Sequence, residues 1–235
     1  MKINIKQHIT YNNLKKGDFM SKLTGRTIEF SNSPYVLSYA AVGSKFEKEG
    51  PLGKEFDKIF ENPLAGCESW EKAESKFQKT ALGLAIEKAV LKPQDINIVF
   101  AGDLLNQCTG STFGLLDFNI PFAGVYGACS TMALSLIMAS VFIDNNLAQK
   151  AAAITSSHFC TAERQYRFPL EYGSQKPQNA QWTATASGAV ILTNEPQNVK
   201  IKRATIGIAQ DKGVTDQNNM GAAMAPDDVK IRPYP

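Results

Sequence analysis

The most constraining feature of the sequence is a long stretch without charged residues between Asp117 and Asp144. It exceeds the roughly 20 residues that a helix needs to cross a bilayer. Pro121, Gly124 and Gly127 interrupt its first half, however, and both residue types disfavour a continuous helix. The stretch therefore predicts a buried strand, a tight turn and a buried helix, and not one membrane-spanning helix.

Apolar residues recur along the chain in a pattern that predicts helices between strands. Ser69 can cap a helix that begins at Trp70, and Lys88, Lys92 and Pro93 close this helix. The pattern also predicts a charged loop over Gly43–Lys58, helices over Ser111–Leu116 and Thr131–Asn145, and strands over Thr27–Phe30, Tyr35–Ala41, Ile96–Ala101, Phe122–Tyr126, Ala151–Ser156, Thr183–Thr193 and Val199–Ala209. This order predicts an α/β layer fold with a mainly parallel central sheet.

The composition excludes several classes of function. Lys and Arg number 25 against 22 Asp and Glu, and a net charge of +3 over 235 residues predicts no nucleic-acid-binding surface. The four cysteines stand far apart without a C-x-x-C pair, which favours free thiols over a zinc site or a disulfide framework. With only two histidines in the chain, we expect no histidine-rich metal site, and we predict no cofactor.

The N-terminal residues 1–21 are predicted to form a basic, disordered leader before the fold. They contain several lysines but lack the apolar core of a signal peptide. Met20 is an alternative to Met1 as the start of the protein. Without a predicted signal peptide or membrane span, we expect a cytoplasmic protein.

The sharpest candidate site is Cys129, which follows a predicted strand and precedes a predicted helix. A cysteine at a helix N-terminus lies near the positive end of the helix dipole, which favours the thiolate. Backbone amides at the same place can hold a carboxylate or an oxyanion. Free cysteines are also common as inert core residues, so the pattern alone leaves both a nucleophile and a packing role open.

Several short runs resemble one known family. Gly127, Ala128, Cys129 and Ser130, between a strand and a helix, resemble the nucleophile elbow of the thiolase and β-ketoacyl synthase superfamily. The resemblance is closer still to one branch, the stage V sporulation protein AD family of spore-forming Firmicutes. The matching runs, between Lys22 and Pro226, are Lys48–Gly53, Ala101–Gln107, Gly127–Thr131, Thr155–His158, Thr161–Gln165, Glu171–Gly173, Gln175–Pro177, Met220–Gly221 and Ala223–Pro226.

The resemblance implies a thiolase-like layered fold with a buried central helix. Residues 22–226 would form its first α/β half, and residues 227–235 a divergent tail. It further implies a non-catalytic sporulation protein that binds dipicolinic acid (pyridine-2,6-dicarboxylic acid) for uptake into the developing spore. Other stage V sporulation membrane proteins would be its partners, and the protein could lie peripherally on the spore inner membrane.

The second half of a thiolase-like protein is implied to cover the first half and to complete its site. A single half should expose apolar surface near Met132–Ile143, so we expect a homodimer or another assembly. The second half also supplies the histidines that activate the cysteine, and this sequence lacks them, which argues against acyl transfer. His158 follows a strand end and can either pair with Cys129 or bond only to a loop backbone.

Three polar residues of one strand-end loop are further ligand-binding candidates. Asp103, Asn106 and Gln107 can orient a ligand beyond the carboxyl end of the predicted strand. The same side chains can instead cap the next helix and satisfy their own turn.

A second candidate group lies further along the chain. Glu163, Arg164 and Arg167 alternate with Tyr166 and Phe168. Arginine binds carboxylates bidentately and aromatic rings stack, so this group suits the planar dicarboxylate that the resemblance implies, with Arg164 or Arg167 on a carboxylate. A solvated, salt-bridged loop is the alternative interpretation.

Three hypotheses therefore remain open. The chain is a non-catalytic dipicolinic acid-binding protein, an acyltransferase or condensing enzyme with Cys129 as its nucleophile, or a truncated inactive product. The first hypothesis adds Cys129 and His158 to the ligand-binding candidates.

Overall fold

The structure, a computed structural model, describes residues 21–166, 183–213 and 215, without the side chains of residues 163–166. Nearly all of the predicted leader, the predicted tail and Arg167 lie outside these residues. The helices are α1 (Lys45–Glu49), α2 (Trp70–Lys88), α3 (Thr109–Leu115), α4 (Thr131–Asp144) and α5 (Phe159–Tyr166). The strands are β1 (Lys22–Thr24), β2 (Thr27–Glu29), β3 (Tyr35–Ser44), β4 (Lys58–Phe60), β5 (Ile98–Gly102), β6 (Phe122–Gly124), β7 (Lys150–Ser157), β8 (Ala186–Thr193) and β9 (Arg203–Thr205).

A sheet with the strand order β4-β3-β8-β7-β5-β6 forms the centre of the fold. Of these described strands, β8 alone runs antiparallel to its neighbours, β3 and β7. The prediction of a mainly parallel α/β sheet is therefore confirmed. The carboxyl ends of β5, β6 and β7 lie at one edge, so the loops that leave these strands come together there. A small antiparallel sheet, β1-β2-β9, accompanies the central one.

The central strands are buried on both faces. In β5, Val99 and Ala101 join the apolar core beneath α2, whereas Phe100 joins the core beneath α4. Alternate residues of β7 also belong to the two cores: Ala152 and Ile154 lie beneath α2, and Ala151 and Ala153 lie beneath α4. Successive side chains of a strand point to opposite faces of the sheet, which explains this alternation. The sheet is thus a middle layer between α2 and α4, and both helices support the loops at the strand ends.

Helix α2 confirms the sequence prediction at both of its ends. Ser69 Oγ accepts a hydrogen bond from the Lys72 amide at 3.2 Å, which satisfies one of the free donors of the first turn. The buried face includes Phe77, as the apolar spacing predicts. It also includes Glu74 and Gln78, which that spacing does not predict.

Among the segments that differ from the sequence prediction, two have a clear local cause. The predicted loop Gly43–Lys58 contains α1, because Ser44 and Glu47 form a capping box in which the Ser44 amide donates to Glu47 Oε2 at 3.1 Å. The predicted strand Val199–Ala209 contains only the short β9. Its partner β2 is just three residues long, so the ladder ends there.

Helix α4 is present as predicted, but only one of its faces is buried. That face is rich in small residues such as Ser135, Ala139 and Ser140, which let the helix lie close to the sheet. Larger side chains such as Ile137 remain partly exposed, so within the described residues the helix that was predicted to be buried is covered on one face only. No helix in this part of the chain is both long and apolar enough to span a bilayer.

Candidate active site at the Cys129 elbow

Cys129 lies in a tight turn between β6 and α4, as the sequence predicts. A short 3-10 turn, Ala128–Ser130, carries the exposed cysteine and runs directly into α4. Ser130 Oγ donates to the Gly127 carbonyl oxygen at 2.7 Å, and Thr131 Oγ1 donates to the Ala128 carbonyl oxygen at 2.7 Å. The two hydroxyl residues directly after the cysteine therefore fix the turn that presents it.

The elbow is strained and tightly packed. Ala128 has a φ of 46°, in the left-handed region that costs a residue with a Cβ roughly 1–2 kcal/mol. At Gly102, a Cβ would lie 2.0 Å from the Val125 carbonyl oxygen and 2.6 Å from Thr131 Cγ2, so only glycine allows β5 to approach this closely. Such strain is typical of functional sites, where the surrounding structure holds it in place.

An open pocket of about 280 Å³ lies beside the elbow. It lies at the edge where the parallel strands end, which is the usual ligand position in such sheets. The described residues that line it carry no charge and offer several hydroxyl groups: Leu104, Ala128, Cys129, Met132, Thr155, Ser156, Ser157, Thr183, Ala186, Ser187 and Gly188. The lining of the pocket thus combines a thiol, several hydroxyls and apolar side chains such as Leu104 and Met132.

His158 has the second of the two roles that the sequence allows. It is fully buried, its Nε2 lies 2.9 Å from the Pro63 carbonyl oxygen, and its Nδ1 accepts from the Cys160 amide at 3.2 Å. Burial lowers the pKa of the His158 ring, although the bond to Pro63 opposes this effect. Both ring nitrogens are therefore occupied by backbone, which favours the loop-backbone alternative over a pairing with Cys129.

Asp103 also takes the structural alternative. It is fully buried, and its carboxyl oxygens accept from the Leu105 amide at 2.8 Å and from the Ser111 amide at 2.7 Å and hydroxyl at 2.6 Å. It thereby fixes its own turn and the first turns of α3. Asn106 and Gln107 are exposed and do not line the pocket, so neither supports the ligand-binding prediction.

The arginine group stays a prediction. Glu163 and Arg164 belong to α5, which begins just after β7, but their side chains lie outside the described residues, as does the whole of Arg167. In the described part of the chain, no group of three or more histidine, cysteine or acidic residues could hold a metal ion.

Sequence reasoning missed the polar residues directly behind the pocket. Ser156 lines the pocket, and its Oγ donates to Glu74 Oε1 at 3.0 Å and accepts from Gln78 Nε2 at 2.8 Å. Glu74 and Gln78 are four residues apart on the buried face of α2. Both residues lie at helical spacing from Ala73, Phe77 and Ala81, the apolar residues of the buried face of α2, and this spacing is the signal that could have identified them.

The sequence of the chain matches one family of known proteins over most of its length. The sequence profile described as "Stage V sporulation protein AD" matches residues 24–232. The chain belongs to the stage V sporulation protein AD family. A family member from Bacillus subtilis (strain 168) is 43% identical over 206 residues, which cover 87% of this chain and 61% of that protein. The chain thus spans less than two thirds of the length of this stage V sporulation protein AD.

The chain is also similar in structure to proteins of known structure. The tetronic acid condensing enzyme AbyA1 aligns with a TM-score of 0.50 and 16% identity, over 72% of this chain and 57% of that one. The 3-oxoacyl-(acyl-carrier-protein) synthase III of Aquifex aeolicus VF5 aligns with a TM-score of 0.48 and 14% identity, over 70% and 55%. Together with the family match, the first alignment confirms the predicted thiolase-like fold of this stage V sporulation protein AD relative.

Proposed function

We propose that the chain binds dipicolinic acid in the Cys129 pocket and serves its uptake into the developing spore without catalysing a reaction. The observation that supports this proposal is the open pocket of about 280 Å³ at the carboxyl ends of the parallel strands. Its volume is near the lower end of small-molecule sites, at roughly 300 Å³, and suits a ligand with one ring. The hydroxyl of Thr155 can donate to a carboxylate oxygen, whereas Ser157 Oγ already donates to the Ala184 carbonyl oxygen at 2.7 Å.

The carboxylates of such a ligand also need positive charge, which the described lining residues lack. We propose that Arg164 or Arg167 supplies it through a bidentate hydrogen bond. Helix α5, which carries Arg164, begins at Phe159, two residues beyond the end of β7. This short connection keeps the start of α5 close to Ser157, which lines the pocket.

Calorimetry with dipicolinate and benzoate tests the ligand, and a pocket-filling variant tests the site. A Cβ at Gly188 would meet no atom within 4 Å, so the ring of Gly188→Phe can enter the pocket without a backbone clash. We expect dipicolinate to bind more tightly than benzoate, and Gly188→Phe to lose at least about tenfold in affinity, or roughly 1.4 kcal/mol.

Gly207→Phe is the matched control, because Gly207 is exposed, also has open space around its Cα, and lies outside the pocket lining. It should bind dipicolinate like the unaltered protein. Equal or absent binding of dipicolinate and benzoate would contradict the proposed ligand. An unchanged affinity in Gly188→Phe would contradict the proposed site.

We further propose that the protein forms a homodimer and acts with other stage V sporulation membrane proteins from a cytoplasmic or peripheral position. Strand β6 ends the central sheet and pairs, among the described strands, only with β5. Phe113, Leu116 and Phe122 expose apolar surface on and just before this edge, which favours association with a second copy. Sedimentation should show a dimer that the double variant Phe113→Lys/Leu116→Lys converts to monomer. A monomer before substitution would contradict the proposal.

Acyl transfer through Cys129 is the second candidate, because an exposed thiol on a strained elbow is a favourable position for a nucleophile. The occupied ring nitrogens of His158 argue against it. Incubation with acetyl and acetoacetyl thioesters, followed by site-resolved mass spectrometry, should give no acyl adduct on Cys129. A stable adduct would favour the enzyme over the binding protein.

A further inference from the structure

A buried polar network lies directly behind the Ser156 wall of the Cys129 pocket. We call it the Glu74 cluster, and each of its side chains is at most 4% exposed: Glu74, Gln78, Asp103, Ser111, Ser156 and Thr161. These residues come from α2, α3, α5, β7 and the loop after β5. Burying so many polar groups opposes folding unless they are hydrogen-bonded, so a network of this size next to a pocket suggests a role there.

Hydrogen bonds connect the cluster from Asp103 to Glu74. Ser111 Oγ donates to Asp103 Oδ2 at 2.6 Å, and Gln78 Nε2 lies 2.8 Å from both Ser111 Oγ and Ser156 Oγ. Ser156 Oγ in turn donates to Glu74 Oε1 at 3.0 Å. The single hydroxyl hydrogen of Ser156 is therefore directed away from the pocket, towards Glu74.

The other oxygen of Glu74 shows where a proton fits. Thr161 Oγ1 lies 2.7 Å from Glu74 Oε2 and 3.0 Å from the His158 carbonyl oxygen, but a hydroxyl has only one hydrogen to donate. If Glu74 carries a proton on Oε2, this proton is donated to Thr161 Oγ1. The Thr161 hydroxyl then donates its own hydrogen to the His158 carbonyl oxygen. A protonated Glu74 is therefore compatible with both contacts of Thr161 Oγ1 at once, whereas beside an ionised Glu74 this hydroxyl can donate to only one of them.

The surroundings of Glu74 also oppose its negative charge. The pKa of Glu74 is raised to about 8, chiefly by burial, and the charges of Asp103, from the loop after β5, and Glu71, one turn earlier on α2, contribute to this rise. The hydrogen bonds from Thr161 and Ser156 act in the opposite direction. The nearby His158 ring, which contacts α2, has both nitrogens bonded to backbone, and no described lysine or arginine forms an ion pair with Glu74.

We propose that Glu74 is a positioning residue that sets the charge behind the pocket: protonated, it lets the pocket accept an anionic ligand, and ionised, it weakens anion binding. The part that concerns dipicolinate rests on the proposed function. The part that concerns pocket charge does not, since any anion that enters beside Ser156 would experience the same field.

The primary test uses the Cys129 thiol as a reporter of pocket charge. Its thiolate displaces iodide from neutral iodoacetamide and from anionic iodoacetate, and the ratio of the two rates cancels the thiolate fraction. From about pH 7 to about pH 9 we expect the iodoacetate-to-iodoacetamide ratio to fall about threefold, as one added charge near the site predicts. In Glu74→Gln the ratio should stay constant.

Glu74→Gln mimics the protonated form of Glu74, because its side-chain NH₂ can donate to Thr161 Oγ1 and its side-chain oxygen can accept from Ser156 Oγ. Glu87→Gln, an exposed position on the same helix, is the matched control and should keep the fall in the ratio. A ratio that does not change with pH in the unaltered protein, or that falls equally in Glu74→Gln, would overturn the inference.

Dipicolinate affinity measured over the same pH range separates the inference from the proposed function. We expect the affinity of the unaltered protein to fall severalfold and that of Glu74→Gln to stay constant. Dipicolinate binding with the same pH dependence in both proteins would overturn the inference and leave the proposed function intact. No dipicolinate binding at any pH, with the reagent ratio behaving as expected, would overturn the proposed function alone.

Discussion

The two helices that cover the central sheet reverse the expected relation between hydrophobicity and burial. Helix α2 carries many charged residues, yet it buries Phe77, Leu82 and Ile86 together with Glu74. Helix α4 is uncharged until its last residue, yet large side chains such as Ile137 stay partly exposed. Burial is therefore decided by what packs against each helix: α2 is covered by α3 and the sheet, whereas the described residues cover only the small-residue face of α4.

The largest difference should appear when a phenylalanine is removed from each helix. Phe77 is 1% exposed and contacts Phe60 and His158, so Phe77→Ala should lower the free energy of unfolding by about 3–5 kcal/mol. Phe142 on α4 is only partly buried against Phe100, and Phe142→Ala should cost about half as much. Urea denaturation measures both. Equal losses would show that the two helices are equally buried in solution.

The second effect concerns the buried carboxyl of α2. The pKa of Glu74 is about 8 in the folded protein and near its ordinary value when unfolded, so only the folded state keeps the proton between these values. Its contribution to stability is complete at low pH and is lost as pH rises towards about 8. Relative to Glu74→Gln, the unaltered protein should therefore lose about 2 kcal/mol from about pH 6 to about pH 7.5, at roughly 1.4 kcal/mol for each pH unit.

Denaturation at a series of pH values measures this difference, and other titrating groups cancel in the comparison. Glu87→Gln should show no such pH dependence, because its carboxyl is exposed. A constant difference between the unaltered protein and Glu74→Gln would contradict the protonated state of Glu74.

The third effect is chemical and concerns the N-terminus of α4. Cys129 is exposed, whereas burial raises the pKa of the Cys108 and Cys160 thiols and so lowers their thiolate fraction. Near neutral pH, iodoacetamide should label Cys129 at least about tenfold faster than either of these. Site-resolved mass spectrometry separates the sites, and Cys129→Ser should remove the fast phase. Uniform labelling of the cysteines would show that the elbow is not formed.

The local parts of this comparison could be predicted from the sequence. Ser69 before Trp70 identified the start of α2, and the order of strand, cysteine and helix identified the elbow. The parts that could not be predicted depend on distant contacts. His158 is held by Pro63, 95 residues away, and Glu74 is bonded to Thr161, 87 residues away, so neither environment is visible in a local pattern. Hydrophobic spacing can mark Glu74 as a position on the buried face of α2, but it does not show which groups its carboxyl contacts.

The smallest effect, and the sharpest test of the partly exposed face, is expected at Ile137. This residue lies outside the apolar core beneath α4, so Ile137→Gln should lower the free energy of unfolding by less than about 1 kcal/mol. The matched substitution on α2, Leu82→Gln, places an amide at a site with 0% exposure and should cost several times more. Urea denaturation of both variants measures the loss of stability, and sedimentation shows whether each variant is still a dimer. If Ile137→Gln lowers the free energy of unfolding as much as Leu82→Gln and the protein is still dimeric, a second copy covers α4. The difference in burial between the two helices would then exist only within one chain.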